Sequence, residues 1–494
     1  MAQFCPHCVA PEVRTRASEP DTGMFGRMFP HLPGLGLDVR IDLALGAAGG
    51  RMDASAVDPS VPASSRPDVS DNPRIPAGWA FFGQILAHDV THDRSPLRGR
   101  EEVRGLRNHR TPRLDLEAVY GTGPVGQPYL YERNDGDKLL LGLNDLGDAD
   151  DLPRNSEGIA LVGDARDDTY LFISQLHLAL LKLHNLLVDQ VRAAGTAPSN
   201  VFAEAQRLTR WHYQWIILHE YLPLTVGDAL VDELVHEGTR VYQPDGRPYV
   251  PVEFSAAAFR FGHAQIRSLY DVNDGVGGVP IFPDLVGQRP VAAALRPDWR
   301  RFFDVPAEPA PQASKRLDVS YPAALMHLPL QLTGELELAE HAALAYRDLQ
   351  RGAAMELPSG EDVARAMGET PLDRDALGLP AGVCSRGTPL TYYVLREAEV
   401  ETDGRHLGRV GGRLVAEVII GLLRADPTSI LGSSPGWRPA LSSMRRTDGT
   451  EFTMADLLAA TGALDPRGER TTSTGSSRHE HGEPSPSRLP SVER

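Results

Sequence analysis

Cysteine is scarce in this chain: three residues in 494, with Cys5 and Cys8 in a lone "CPHC" near the N-terminus and Cys384 far from both. Three cysteines cannot build a disulfide framework. One CxxC without a second pair supplies at most half a metal site, so an exposed, reduced tail is expected. Positive charge is short as well. Lys and Arg number 50 against 66 Asp and Glu, a formal net charge of −16, which argues against nucleic acid or an anionic membrane as the main partner. Long hydrophobic runs are also few. Stretches such as "LVAEVIIGLL" (414–423) are too short and too close to charge to cross a bilayer, so no membrane span is expected. "MAQFCPHCVAPEV" lacks the basic start and apolar core of a secretory signal. The default expectation is a cytoplasmic protein, unless it is exported by another route. No segment repeats at a fixed period.

What is present is ordinary for a folded chain: 41% hydrophobic and 23% charged residues. The length allows two to four average domains, or one large helical enzyme with insertions. Residues 1–72, rich in Gly, Pro, Asp and Ala without a sustained period, read as an irregular arm that wraps a core. From about 465 ("DPRGERTTSTGSSRHEHGEPSPSRLPSVER") apolar residues almost vanish, which predicts a disordered tail whose "HEH" is a solvated charge cluster. Between them, 73–464 read as one mainly α domain. Periods of 3.6 residues predict helices over 78–92, 168–194, 200–220, 254–268, 334–353 and 409–424.

The stretch "WAFFGQILAHDVTHD" (79–93) concentrates histidine and carboxylate beside an apolar run. At helical spacing Phe81, Phe82, Ile85, Leu86 and Val90 form a core-facing stripe. Gln84 and His88, four apart, share another face together with Ala87, and Asp89 is turned about 100° from His88. Other helical histidines are His177 and His184, His212 and His219, each pair seven apart among apolar neighbours. All four read as structural. No HExxH or HxH zinc spacing occurs. His263 differs. In "AAFRFGHAQI" (257–266) a glycine precedes it, which lets a bulky planar group approach the backbone, and Arg260 three residues earlier suits a carboxylate of that group. Two histidines from distant helices, with arginines and no cysteine ligand, match what a haem sandwich needs. Spacing alone does not establish it.

"GWAFFGQILAHDVTHD", "RTPRLDLEAVYGTGP", "GDARDDTYLFISQLHLALLKLHN", "FRFGHAQI" and "LAYRDLQRGAAMELPSG", in this order, resemble the animal-type haem peroxidases of the peroxidase–cyclooxygenase superfamily, and its bacterial branch most. The resemblance runs from about Pro73 to Leu431. It implies a mainly α-helical domain around one buried haem, with His263 as proximal ligand. His88 is then the distal histidine, with Gln84 beside it and Arg166 opposite. A neutral imidazole can move a proton from one peroxide oxygen to the other, and a fixed guanidinium stabilises charge on the departing oxygen. Asp89 resembles the first ligand of the family's calcium site. The others implied are Thr111 (hydroxyl and carbonyl), Arg113 (carbonyl), Asp115, and Glu117 where the family often has serine.

The chain also departs from that family. Where mammalian members attach haem through an aspartate and a glutamate, this sequence has Ala87 and Thr169, so haem b held without covalent bonds is expected. Asp168, next to the second position, is the nearest carboxylate. Against the proximal histidine, where asparagine is common, stands Asp348, and Arg351 matches the family's propionate-binding arginine. The function implied is reduction of hydrogen peroxide with oxidation of small organic donors or a soft halide. A haem-dependent fatty-acid dioxygenase of the same superfamily is the alternative; it needs a tyrosyl radical near the haem and an apolar channel, and the helix preceding "LALLKLHN" carries Tyr170, though the sequence does not assign it that role. A catalytically silent binding or adhesion protein on the same fold is a third reading. Retention of Gln84, His88, Arg166 and His263 together argues against it.

Overall fold

A computed structural model describes residues 25–36, 38–54, 71–93, 106–244, 247–334, 338–379, 383–439 and 451–464. The "CPHC", the tail from 465 and its "HEH" lie outside them. The mainly α architecture expected from the periodicity is the one observed. The principal helices are α1 (Val39–Gly46), α2 (Gly78–Val90), α3 (Leu171–Ala193), α4 (Val201–Ile216), α5 (Asp228–Glu237), α6 (Leu344–Ala354), α7 (Leu390–Thr402) and α8 (Arg409–Ala425). Strands are short and pair in twos among the described residues. β1 (Phe25–Gly26) runs parallel to β3 (Val250–Pro251), while β2 (Asp71–Pro76) and β6 (Ala313–Lys315), and β4 (Leu269–Tyr270) and β5 (Val279–Pro280), are antiparallel.

The core is built around α2 and α3. Phe81, Phe82, Ile85, Leu86 and Val90 are all buried, as their spacing requires, at about 1.5–3 kcal/mol of transfer free energy each. Phe81 meets Phe172 at 4.8 Å between ring centroids, and Phe172 meets Phe302 at 4.6 Å. A Cβ on Gly83 would lie 2.4 Å from Tyr221 Oη, so α2 passes the Tyr221 ring this closely only because residue 83 is glycine. Tyr221 closes a π-helical turn, Ile217–Tyr221, that continues α4. Helix α3 is long and apolar enough to cross a membrane, but 83% of its most apolar 18-residue stretch is buried in the fold. It is a core helix.

The expected helices differ from the observed ones where short-range geometry overrides the period. The 168–194 segment begins as a 3-10 turn (Ala165–Asp168) capped by Asp164. Tyr170 is extended, and α3 starts only at Leu171. The 254–268 segment is a short α-turn, Val252–Ser255, followed by a 3-10 helix, Ala258–Gln265; Ala257 at φ −140°, ψ −76° breaks the α run. In the 334–353 segment Gly334 sits at φ +67° and Ala343 is extended, so α6 starts at Leu344. Helices α1, α5 and α7 were not among those expected. Residues 25–54 reach across the domain: β1 joins β3, and α1 packs on α6, where Gln350 Nε2 donates to the buried Asp42 Oδ2 at 2.6 Å. Asp42 is pushed up to about 6 by that burial.

Candidate active site: a cavity with two carboxylate-anchored histidines

A cavity of about 1610 Å³, counting the open solvent at its mouth, takes its lining from distant parts of the chain. Helix α2 contributes Gln84, Ala87 and His88, and the turn before α3 contributes Arg166, Thr169 and Tyr170. The 258–265 turn gives Arg260, Gly262 and His263, and α6 gives Leu344 and Arg351. Apolar side chains, including Phe25, Leu325, Leu328 and Leu332, complete it. A Cβ built on Gly262 would meet nothing within 4 Å, so the backbone before His263 faces open space.

His88 is almost wholly buried, and its Nδ1 lies 2.7 Å from Asp167 Oδ1. The other oxygen, Oδ2, lies 2.8 Å from His177 Nδ1. Burial lowers the His88 pKa and the Arg166 charge adds to that; the Asp167 hydrogen bond opposes without reversing it, so His88 is neutral near pH 7. Burial would raise Asp167, but the hydrogen bonds of His177 and His88 outweigh it and hold the carboxyl below its usual range. His88 Nε2, His177 Nε2 and Gln84 Nε2 are buried without a hydrogen-bond partner among the described residues. Unpaired buried polar atoms cost about 1–3 kcal/mol each, and they cluster where a bound group completes a site.

Arg166 is held rigidly. Its Nε and Nη2 donate to Asp164 at 3.0 and 2.7 Å, and Nη2 donates to the His88 carbonyl at 3.0 Å. Asp164 also accepts from Arg166 N at 2.9 Å, capping the turn, and from Arg110 Nη2 at 2.5 Å. Burial would raise Asp164, but Arg166 and Arg110 keep it well below the usual range.

On the second histidine, His263 Nδ1 lies 2.7 Å from Asp348 Oδ2. Arg260 Nη1 donates to Asp348 Oδ1 at 2.6 Å, and Tyr321 Oη donates to Oδ2 at 2.8 Å. Asp348 is fully buried, which alone would raise it; His263 and Arg260 reverse the sign and hold it far below the ordinary carboxylate range. Arg260, assigned in sequence to a haem carboxylate, thus spends one arm on Asp348 and donates Nε to Ser255 O at 3.2 Å. Arg351 reaches the cavity with Nη1 3.3 Å from Asp93 Oδ2. The cofactor implied by the resemblance fits these residues. The cavity has imidazoles from separate elements, a glycine facing open space, and buried polar atoms in need of partners.

The acidic loop gathers the implied calcium ligands, but closes them on itself. Asp89 accepts Leu116 N and Glu117 N, each at 3.1 Å. Thr111 Oγ1 donates to Asp115 Oδ2 at 3.2 Å, Glu117 accepts Thr111 N and Arg110 Nη1, both at 3.1 Å, and the Thr111 carbonyl takes Arg113 N at 2.8 Å. Burial, and then the Asp115 charge, push Asp89 well above its usual value. The all-oxygen donor set suits a hard cation. Among the described residues, however, no group of three or more His, Cys, Asp or Glu side chains is arranged to hold an ion.

At the positions where the family forms esters, Ala87 and Thr169 do line the cavity. Asp168 does not. Its carboxylate accepts Arg154 Nη1 at 2.6 Å and Nη2 at 2.9 Å, away from the cavity lining. Of the histidines read as structural, His184 bridges Tyr120 Oη (3.0 Å) and Asp137 O (2.8 Å), and His212 and His219 bond carbonyls one turn back. His177 is different, because it shares Asp167 with His88. Neither Asp167 nor that role of His177 was found by sequence reasoning. The available signal was the doubled acid of "GDARDD" ten residues before a histidine.

Residues 91–280 match the family model for the animal haem peroxidases. The matched span holds Arg166, Asp167, His177 and His263; His88 and Asp348 lie on either side of it. Human thyroid peroxidase is 30% identical over 214 residues, 38% of this chain and 21% of that protein. A peroxidase of Drosophila melanogaster is 30% identical over 181 residues, 33% of this chain and 26% of the relative. The chain thus matches only about a fifth to a quarter of the length of these relatives. Among solved structures, peroxidase A of Dictyostelium discoideum superposes with a TM-score of 0.59 at 15% identity, covering 93% of each chain. The fatty acid alpha-dioxygenase of Oryza sativa gives 0.58 at 14% identity, covering 90% of this chain and 80% of the other. At such identity the likeness is one of fold.

Proposed function

We propose that the animal haem peroxidase domain of this chain holds haem b through His263 and reduces hydrogen peroxide, oxidising small organic donors or a soft halide. One observation carries the reading: His88, anchored at Nδ1, keeps a buried and unpartnered Nε2 in the same cavity that His263 lines. When bound, haem supplies the iron that takes up peroxide and the oxidising equivalents handed to the donor.

The chain's own groups then have distinct tasks. His88 Nε2 takes a proton from one peroxide oxygen and returns it to the other. The neutral state that burial enforces leaves it able to do so. Arg166, immobilised by Asp164 and the His88 carbonyl, sets a positive charge beside the departing oxygen. Gln84 offers an amide to the incoming peroxide. Arg351, in the lining with Asp93, is the arginine left for a haem carboxylate now that Arg260 is committed to Asp348. Two electrons from donor molecules and two protons complete the conversion of peroxide to two waters. Haem is retained without covalent bonds, since Asp168 is locked on Arg154. Acidified ketone should therefore extract unmodified haem b; haem remaining on the denatured chain would contradict this.

The dioxygenase reading keeps one observation in its favour: the cavity's walls are largely apolar, and Tyr170 and Tyr221 line it. Gln84, His88 and Arg166 favour peroxide. The deciding experiment mixes purified ferric protein with hydrogen peroxide and a phenol or iodide, and separately with palmitate under oxygen. Peroxide-dependent donor oxidation without oxygen uptake is expected. Oxygen uptake on palmitate alone would replace this reading with the dioxygenase.

A further inference from the structure

We propose that Asp167 is a positioning residue that fixes the tautomer of His88, and that His177 completes the device by occupying the carboxylate's other oxygen. The proposal rests on the haem peroxidase reading for its consequence, but on geometry for its content.

Asp167 is wholly buried, and its two oxygens are each taken by one imidazole Nδ1, at 2.7 and 2.8 Å. An ionised carboxylate only accepts hydrogen bonds. Both Nδ1 atoms must therefore carry hydrogen, and in a neutral ring this leaves the lone pair on Nε2. For His88 that lone pair belongs to the atom left buried and unpartnered beside the cavity. Neither imidazole can adopt the alternative tautomer without placing a lone pair against a carboxylate oxygen.

The arrangement also explains why both histidines are needed. A buried carboxylate with one donor keeps an unsatisfied oxygen and is free to turn about its Cβ–Cγ bond; with a donor on each oxygen its plane is set. Asp167 lies in the 3-10 turn next to Arg166, whereas His177 lies on α3. The rigid core helix thereby dictates the orientation of the ring on α2. Arg166 and Asp164 face His88 from the same turn, and the Arg110 guanidinium and the Tyr170 and Tyr213 phenols also lie near Asp167.

Asp167→Asn is the informative change. The amide presents one acceptor and one donor, so one of the two histidines must switch to the Nε2–H tautomer. A His88 with hydrogen on Nε2 cannot accept the peroxide proton. Where the same substitution misplaces the tautomer in a serine protease triad, the rate falls about 10⁴-fold. His177→Gln retains an N–H donor to Asp167, while His177→Leu removes it.

The test has two readouts. Nitrogen-15 histidine NMR of the haem-free full-length chain should show two imidazoles protonated at Nδ1. In Asp167→Asn, at least one should move to Nε2. Stopped-flow cyanide binding to the ferric protein, which needs a base at His88 to take the proton of hydrogen cyanide, should slow by about a hundred-fold or more in Asp167→Asn at unchanged haem content where the NMR shows His88 to be the ring that has switched. His177→Gln should stay near the wild type, and His177→Leu should fall between. Unchanged tautomers in Asp167→Asn, or cyanide rates within two-fold of wild type when His88 carries hydrogen on Nε2, would overturn the proposal. So would equal rates in His177→Gln and His177→Leu, which also keep the test alive if Asp167→Asn does not fold. A wild-type chain that shows both Nδ1–H imidazoles but binds no haem would sink the functional reading and leave the clamp standing.

Discussion

Two buried aspartates hold the two histidines of this cavity, and they are neutralised in different ways. Asp348 receives a cation, Arg260, together with Tyr321 and His263. Asp167 receives two imidazoles and no cation. A carboxylate satisfied by a guanidinium is a rigid structural charge that gives its imidazole only part of its pull. One satisfied by imidazole N–H groups alone has no guanidinium bonded to it at the moment His88 becomes positive. The difference suits the proposed tasks, since a metal ligand needs constancy and an acid–base group needs a charge that answers its own. A carboxylate accepting the His263 N–H gives the ring more imidazolate character than an asparagine would. Arg260 and Tyr321 share that charge and temper the effect.

Removing each acceptor sharpens the contrast. Asp348→Ala strands the partly buried Arg260 and should destabilise the protein by about 3–5 kcal/mol, whereas Asp167→Ala, which strands two imidazole N–H groups, should cost about 1–3 kcal/mol. Urea unfolding measures both, and equal losses would erase the distinction. The pH dependence has a definite sign. Asp348 is held below its ordinary range in the folded state, so its stabilisation is complete above the unfolded value of about 3.9 and disappears only as pH falls further. The gap between wild type and Asp348→Ala should thus persist at pH 5 and narrow in stronger acid.

His88→Ala comes next in size. It should slow the reaction with peroxide by about a hundred-fold or more while leaving haem content near that of the wild type. Stopped-flow absorbance separates the two quantities, and a parallel loss of haem would make His88 a structural residue. Tyr321→Phe removes one of three donors to Asp348 and should cost about 1.5–3 kcal/mol. It should also lower the haem reduction potential, because His263 then feels more of the carboxylate; a rise would contradict that division of charge. The smallest effect is expected from chelation. We propose calcium on Asp89, Thr111, Arg113, Asp115 and Glu117, but Arg110 already pairs with Glu117 and the loop is closed by its own N–H groups. Metal analysis before and after chelator washing should find about one calcium per chain lost with only a modest fall in activity; no calcium at the outset would remove this element.

Much of the fold was legible in the sequence because 3.6-residue periods over α2, α3 and α8 coincide with buried faces. The grouping of Gln84, His88, Arg166, His263 and Arg351 about one cavity, with Asp348 behind His263, was legible too, through residue order in the motifs that resemble the family. The partners were not. Arg260 sits one turn before His263 and points equally well, on spacing, to a haem carboxylate or to a neighbour; only the packing of α6 brings Asp348 within 2.6 Å. Asp167 and His177 were lost for a related reason. Reading helix from 168 onward gives no sign of the 3-10 turn at Ala165–Asp168 or of the extended Tyr170 after it, and it is that turn which carries Asp167 to both imidazoles.

Haem titration of the full-length chain, followed by its Soret absorbance, tests the central claim most directly. Wild type and His88→Ala should each bind one haem with the same histidine-ligated spectrum, and His263→Ala should lose most of the haem or that spectrum. A His263→Ala protein that binds haem with the wild-type spectrum, or a wild type that binds none, would contradict it.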